Sequence, residues 1–452
     1  MSTELVVGIA IVLLLVLLAI EVPVPFALAG SGAAGLILLS SVQLAGTTLA
    51  SAPWNAVGHY TLSIIPLYIL LGMFAVHGKL AERVYGMGAT ALRFLPGGLG
   101  IATVAACTGF AAVSGSSLAT AASLGKISIG EMRRVGYKAS FASGIVAIGG
   151  TLGILIPPSV AMVMYGIVAR ESIGQLLAAG IVPGVLSAVA YAVYIFFVAG
   201  RNIVPPEKGL AEAVHAAAGR EGEVPDRTRM PKGGVRALLW LAAIFAVILA
   251  GMFTGFVTVT ESAAIGALVA LVMLFFENVR DGIKRVWDLA REAARESASV
   301  SAMALMLLIG AGVFSTFLVQ SRLPYKLAGW IGELSVPPIV VVIIILLILI
   351  PLGMFLDSLS VIIIVVPLVH PIVTELGFSG VWFAVLFVML LEIGLVTPPV
   401  GMNTFVVAAA AKLPLGTVFK GVTPFLIPAF VMVALVLIFP DLALWLPSFS
   451  AG

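Results

Sequence analysis

Apolar runs of about 20 residues recur along the whole chain, and each is long enough to cross a hydrocarbon core roughly 30 Å thick. Runs of this length satisfy their backbone N–H and C=O groups within a helix, as hydrocarbon demands. Spans read near 4–20, 24–44, 60–78, 138–168, 174–198, 237–253, 258–277, 297–318, 380–411 and 420–446. The chain is 61% hydrophobic and 10% charged, where average soluble domains carry about a quarter charged residues. The N-terminal run lacks a basic leader and a small-residue cleavage site, so it reads as a retained first helix.

Two further apolar stretches, near 98–128 and 338–370, are interrupted by polar residues: Ser-Gly-Ser-Ser at Ser114–Ser117 and Met-Phe-Leu-Asp-Ser-Leu-Ser at Met354–Ser360. A broken stretch with both ends on one side is a re-entrant hairpin. Taking both as re-entrant places 21 of the 24 Lys and Arg residues on one face, with only Arg170, Arg322 and Lys326 opposite. Such a bias marks the cytoplasmic side. It predicts a bacterial or archaeal cytoplasmic membrane protein with both termini in the periplasm.

The one long hydrophilic stretch, 201–236, is rich in charge, Pro and Gly and reads as a cytoplasmic linker. Residues 280–296 place Ile283, Val286, Trp287 and Ala290 on one face and basic residues on the other, which predicts a helical arm at the inner interface. Cys107 is the only cysteine, and the four histidines have no metal-ligand spacing, so neither a disulfide nor a thiol-metal framework is expected.

The two halves repeat. Gly153–Met162 (GILIPPSVAM) matches Gly394–Asn403 (GLVTPPVGMN), and residues 24–40 resemble 257–273. Gly115 precedes Gly153 by 38 positions, and Asp357 precedes Gly394 by 37. The charge map gives the halves opposite orientations. Inverted repeats with discontinuous helices are the mark of secondary transporters, whose sites lie at the midplane. The expected fold is therefore an all-α integral membrane protein of about ten spanning helices, with two re-entrant helical hairpins and two broken helices.

The chemistry follows from the breaks. Pro157–Pro158 and Pro398–Pro399 each remove two amide donors, leaving carbonyls one turn earlier without partners. Such carbonyls are costly in hydrocarbon unless a cation or water uses them, and a hard cation such as sodium takes oxygen ligands. One cation site per half gives at least two. In the first half the candidates are Ser114, Gly115, Ser117, Gly149, Gly150, Thr151 and Gly153; in the second, Gly394, Thr397, Gly401 and Asn403. The candidate substrate contacts are Ser114, Ser116, Ser159, Asp357, Ser358 and Ser360. Helix N-termini between the tips favour an anion. Glu392, beside the second break, is read either as functional or as a helix–helix hydrogen bond, and Glu261 as a helix cap. For each Pro-Pro pair taken alone, a plain kink is the competing reading.

Together, Gly109–Gly125, Gly136–Tyr137, Gly150–Gly166, Gly353–Leu368 and Glu392–Val406 resemble the large membrane subunit of tripartite ATP-independent periplasmic (TRAP) transporters. The resemblance implies sodium-driven import of a small carboxylate, commonly a C4-dicarboxylate or sialic acid. It implies a periplasmic substrate-binding protein and a small membrane subunit of about four helices, expected here as a separate chain. It also implies an elevator, with 98–168 and 338–411 as transport domain and 1–97, 169–200, 237–337 and 412–452 as scaffold. No enzymatic activity, organic cofactor or nucleic-acid partner is expected. The alternatives are a stand-alone sodium-coupled symporter or exporter of the same superfamily, a channel, and an intramembrane enzyme. Paired inverted hairpins favour alternating access over a pore, and no His adjoins Ser114–Ser117 to act as a base.

Overall fold

The computed structural model describes residues 2–203, 233–254, 256–323, 326, 329 and 336–449. Most of the 201–236 linker lies outside them. The described residues are helical throughout, apart from turns and one isolated bridge between Tyr137 and Ile203. Among the described residues, seven helices are long and apolar enough to cross a membrane, or eight if the bent pair at 139–169 counts as one span.

In chain order the first five helices are α1 (Thr3–Ala19), α2 (Val24–Leu39), α3 (Val42–Val57), α4 (Ile64–His77) and α5 (Leu80–Ala91). Next come α6 (Gly98–Ser114), α7 (Ser117–Arg134), α8 (Ala139–Leu155), α9 (Val160–Ala169) and α10 (Ile173–Asn202). The second half holds α11 (Gly234–Thr254), α12 (Val259–Asn278), α13 (Ile283–Ser321), α14 (Pro338–Phe355) and α15 (Ser358–Glu375). It ends with α16 (Gly380–Val396), α17 (Met402–Ala411), α18 (Leu415–Val422), α19 (Leu426–Ile438) and the short α20 (Asp441–Leu444).

Two packed groups result. In one, α2 lies along α13, α4 packs on α12 and α13, and α1, α3 and α11 add to the outside. In the other, α8 is surrounded by α6, α7, α10, α16 and α18, while α14, α15 and α17 pack around α16 and α7. Small residues permit the closest approaches, as is usual where hydrocarbon gives helices no hydrophobic drive to associate. A Cβ on Gly32 would stand 2.8 Å from the Phe314 Cα, so α2 and α13 touch backbone to backbone there. Gly144 of α8 lies against the backbone of Gly421 in α18, with no room for a Cβ on either. The segment 415–422, inside the stretch read as C-terminal scaffold, is thus drawn onto α8.

Three features differ from the sequence reading. The arm at 280–296 is no separate helix but the first turns of α13, a single 39-residue helix. No Gly or Pro occurs between Ile283 and Ile309, so the change from polar to apolar composition does not break the ladder. Val286 and Leu289 are buried there while Ile283 and Trp287 are exposed. Two helices were also not foreseen. Ser41 caps α3, its side chain accepting from the Leu44 N–H at 3.1 Å, and so ends the 24–44 run early. The amphipathic α5 packs on α6.

Glu261 closes a capping box at the start of α12. Its N–H donates to Thr258 Oγ1 at 3.2 Å, and its carboxylate accepts from the Thr258 N–H at 2.7 Å. On the basic side, the Glu277 side chain is 2% exposed and paired with both Arg83 and Arg236, and it accepts from Trp240 Nε1 at 3.2 Å. This cluster ties α5, α11 and α12 together.

Candidate substrate and cation site

The first tip is a two-residue change of direction. Gly115, in the left-handed region at φ 61°, ends α6 with its N–H on the Ala111 carbonyl. Ser116 then caps α7, its hydroxyl accepting from the Ala119 N–H at 3.3 Å. Thr120 Oγ1 donates to the Ser116 carbonyl at 2.8 Å, so the Ser114 hydroxyl, 2.9 Å away, donates to Thr120 and keeps its lone pairs. The second tip is built by a cap as well. Asp357 accepts from the Ser360 N–H at 3.1 Å and from the Ser360 hydroxyl.

The breaks fall beside these tips. α8 ends at Leu155, and Ser159 caps α9 after the cis Pro157–Pro158 bond; α16 ends at Val396, and Gly401 at φ 58° starts α17 after the cis Pro398–Pro399 bond. Pro157 and Pro399 have no N–H to offer the Gly153 and Leu395 carbonyls. Other exposed carbonyls are met locally. The Ser159 hydroxyl donates to Ile154, the Thr397 hydroxyl to Ile393 at 2.5 Å and the Thr397 N–H to Gly394 at 3.1 Å. The Gly401 N–H donates to the Met354 carbonyl at 3.2 Å, tying the second break to the second hairpin.

Both tips open onto one cavity of about 510 Å³. Ser114, Gly115, Ser116 and Ser117 line it from the first tip, Asp357 and Ser358 from the second. Its wall also holds the first residues of four helices: Ser117 and Leu118 of α7, Val160 of α9, Ser358 of α15 and Met402 of α17. Each N-terminus presents unpaired amides and partial positive charge. The far wall is Gly72 and Met73 of α4 with Val300 and Met303 of α13. Among the described residues of the lining, Asp357 is the one with a charged side chain.

The remaining candidates lie elsewhere. Ser159 is fully buried and committed as a cap, accepting from Met162 N–H at 3.1 Å, and Ser360 is committed to Asp357. Gly149 and Gly150 are buried inside α8, where a Cβ would press on Cys107 and Ala121 respectively. Gly153 and Gly394 allow close approach: a Cβ on Gly153 would stand 2.8 Å from the Ser116 carbonyl, and one on Gly394 2.8 Å from that of Ile350. Asn403 is fully buried, and neither amide atom has a hydrogen-bond partner among the described residues. Thr151 faces away from the tips, toward Glu392.

A second, larger cavity of about 820 Å³ is lined by Thr48, Ser51 and Asn55 of α3 with His59, Arg170 and Glu171. At its edge His370 stands 3.3 Å from the Glu171 carboxylate and 3.1 Å from the Tyr165 hydroxyl. Sequence reasoning missed it because α3 was not read as a helix. The apolar lining of the first cavity was missed because Met73 and Met303 look like any lipid-facing residue.

Apolar spans around a cavity rimmed by helix N-termini define a membrane permease. The chain belongs to the tripartite ATP-independent periplasmic transporter family as a DctM component, whose family profile matches residues 11–442. It is 34% identical to the C4-dicarboxylate TRAP transporter large permease protein DctM of Pseudomonas aeruginosa, over 92% of this chain and 93% of that one. It is 32% identical to the sialic acid TRAP transporter large permease protein SiaM of Vibrio cholerae, over 88% of each. Its fold is similar to that of MtrF from Neisseria gonorrhoeae, with a TM-score of 0.62 at 14% identity over 89% of this chain and 85% of that one.

Proposed function

We propose that this chain is the large membrane subunit of an importer that carries a small organic carboxylate inward together with sodium. The observation that carries the reading is the meeting of four helix N-termini and both polar tips in one cavity, with no Lys or Arg among the described residues that line it. Dipoles and hydroxyls hold an anion weakly, and bound cations supply the remaining charge. Weak holding suits a carrier that must release. Ser114, with its proton committed, and Asn403, with an unpartnered amide, are the side chains best prepared to ligate sodium. The Gly153 and Leu395 carbonyls are the matching backbone ligands.

The basic side lies in the cytoplasm and the termini in the periplasm of the inner membrane. The 820 Å³ cavity beside Arg170, opposite the basic side, then receives substrate from a periplasmic binding protein. A small membrane subunit braces the α2–α4 and α11–α13 group. The tips and broken helices move past that group as an elevator, and α18 travels with α8 because their backbones touch.

The test is uptake into liposomes holding this chain, its small subunit and its binding protein. Uptake should rise with an inward sodium gradient and should stop when the binding protein is left out. Uptake indifferent to the gradient overturns sodium coupling. Uptake without the binding protein favours a stand-alone symporter.

A further inference from the structure

Of the three basic residues opposite the basic side, Lys326 is paired with Glu4 at 2.9 Å and Arg322 ends α13. Arg170 differs from both, because it lines the 820 Å³ cavity. It ends α9 in the left-handed region at φ 59°, and its N–H and that of Glu171 both donate to the Gly166 carbonyl. Its side chain is exposed and makes no hydrogen bond or ion pair among the described residues.

The neighbouring acid is engaged elsewhere. Glu171 stands 3.3 Å from Nε2 of His370, and an ionised carboxylate only accepts, so Nε2 donates. The Tyr165 hydroxyl lies 3.1 Å from Nδ1 and steadies the ring. Gly380 closes over the pair, since a Cβ there would strike both Glu171 and His370. With Glu171 fixed in this way, the Arg170 guanidinium sits in the cavity wall without a counter-ion among the described residues.

The wall supplied by α3 and α13 is polar in a matching sense. Thr48 and Asn55 of α3 and Ser315 of α13 make no side-chain hydrogen bond among the described residues, so each has a donor to offer. Ser51 and Thr316 spend their protons on the carbonyls of Thr48 and Gly312. A guanidinium fork with unspent donors around the same space suits an anion that carries a carboxylate and further oxygens.

This cavity also lies in line with the one between the tips. Three helices border both: α9 runs from Val160 at the tips to Arg170, α15 from Ser358 to Pro367, and α13 from Met303 to Ser315. At the rise of an α-helix these are separations of about 14 to 18 Å. No described residue lines both cavities, so they are separate stations.

We propose that Arg170 forms a second anion-binding site, which takes the substrate carboxylate in the outer cavity while Thr48, Asn55 and Ser315 donate to its other oxygens. The inference rests on the import reading above and names where the anion is held before it reaches the tips.

Cys107 is the only cysteine and is buried, so Ser315→Cys puts a single accessible thiol in the cavity. The chain is reconstituted with its small subunit, without binding protein or sodium gradient. Anionic sulfonatoethyl methanethiosulfonate should modify this thiol faster than the cationic trimethylammonium analogue. Arg170→Asn, whose side chain tolerates the left-handed region, should cut that preference about tenfold. Arg170→Lys should keep most of it, and Arg170→Glu should invert it. In the full uptake assay Arg170→Asn should be several-fold slower than wild type. A reagent preference that survives both Arg170→Asn and Arg170→Glu overturns the proposal, as does wild-type uptake by Arg170→Asn. A thiol that neither reagent reaches overturns it as well. Wild-type uptake that ignores sodium overturns the coupling but not this site, because the labelling needs neither gradient nor transport.

Discussion

A Cβ on Gly115 would stand 2.6 Å from the carbonyl oxygen of Pro158. The first hairpin tip is therefore seated directly on the first helix break, and only glycine lets it sit there. The second half makes the same clasp by other means, with the Gly401 N–H on the Met354 carbonyl. Each tip and break form one unit, which lets four helix N-termini share a cavity.

Gly115→Ala should be damaging. A left-handed non-glycine residue costs about 1–2 kcal/mol, and Pro158 would have to move as well. Uptake should drop at least tenfold, with a lower melting temperature. Gly282, at φ 101° with open space around it, is the control. Gly282→Ala meets only the backbone cost, so its uptake should stay near wild type.

Ser116 and Asp357 both cap helices at the tips, so removing either side chain should cost about 1 kcal/mol. Ser116→Ala and Asp357→Ala should insert and assemble but transport poorly. Asp357→Asn keeps the cap and loses the charge. It should melt like wild type yet take up substrate several-fold more slowly. Wild-type uptake by Asp357→Asn would reduce Asp357 to a cap.

Asn403 separates a ligand from a core residue. A buried amide without partners costs about 1–3 kcal/mol, so Asn403→Leu should melt at or above the wild-type temperature without sodium. A ligand at 100 times its dissociation constant stabilises a protein by about 2.7 kcal/mol. Titrating sodium against choline at constant ionic strength should raise the wild-type melting temperature and leave that of the variant nearly flat. Equal sodium responses would remove Asn403 from the cation site.

Glu277, its side chain almost fully buried, is the shared counter-ion of Arg83 and Arg236. Breaking a fully buried pair by deleting one partner costs about 3–5 kcal/mol, and the cost here is smaller because the Arg83 and Arg236 side chains are 21% and 49% exposed. Glu277→Ala should lower the melting temperature sharply. Adding Arg83→Met and Arg236→Met should restore part of the loss, which a thermal unfolding cycle would measure.

The helical, membrane-embedded character of the chain, the positions of both tips and both breaks, and its membership of the TRAP family were all legible in the sequence. Apolar run length, Pro-Pro pairs and a polar interruption are local, and hydrocarbon leaves the backbone few other ways to satisfy itself. The continuity of α13 was equally local, and composition misled there: a change of polarity is not a break unless Gly or Pro makes one. What only the tertiary structure decided is which way each side chain faces. Thr151 and Ser159 sit in the expected motifs, yet Thr151 turns to Glu392 and Ser159 to Ile154. The far wall of the cavity comes from α4 and α13, more than 200 positions apart in the chain and apolar in type. Such contacts depend on how packed helices rotate about their axes, and small-residue packing between distant segments sets that rotation.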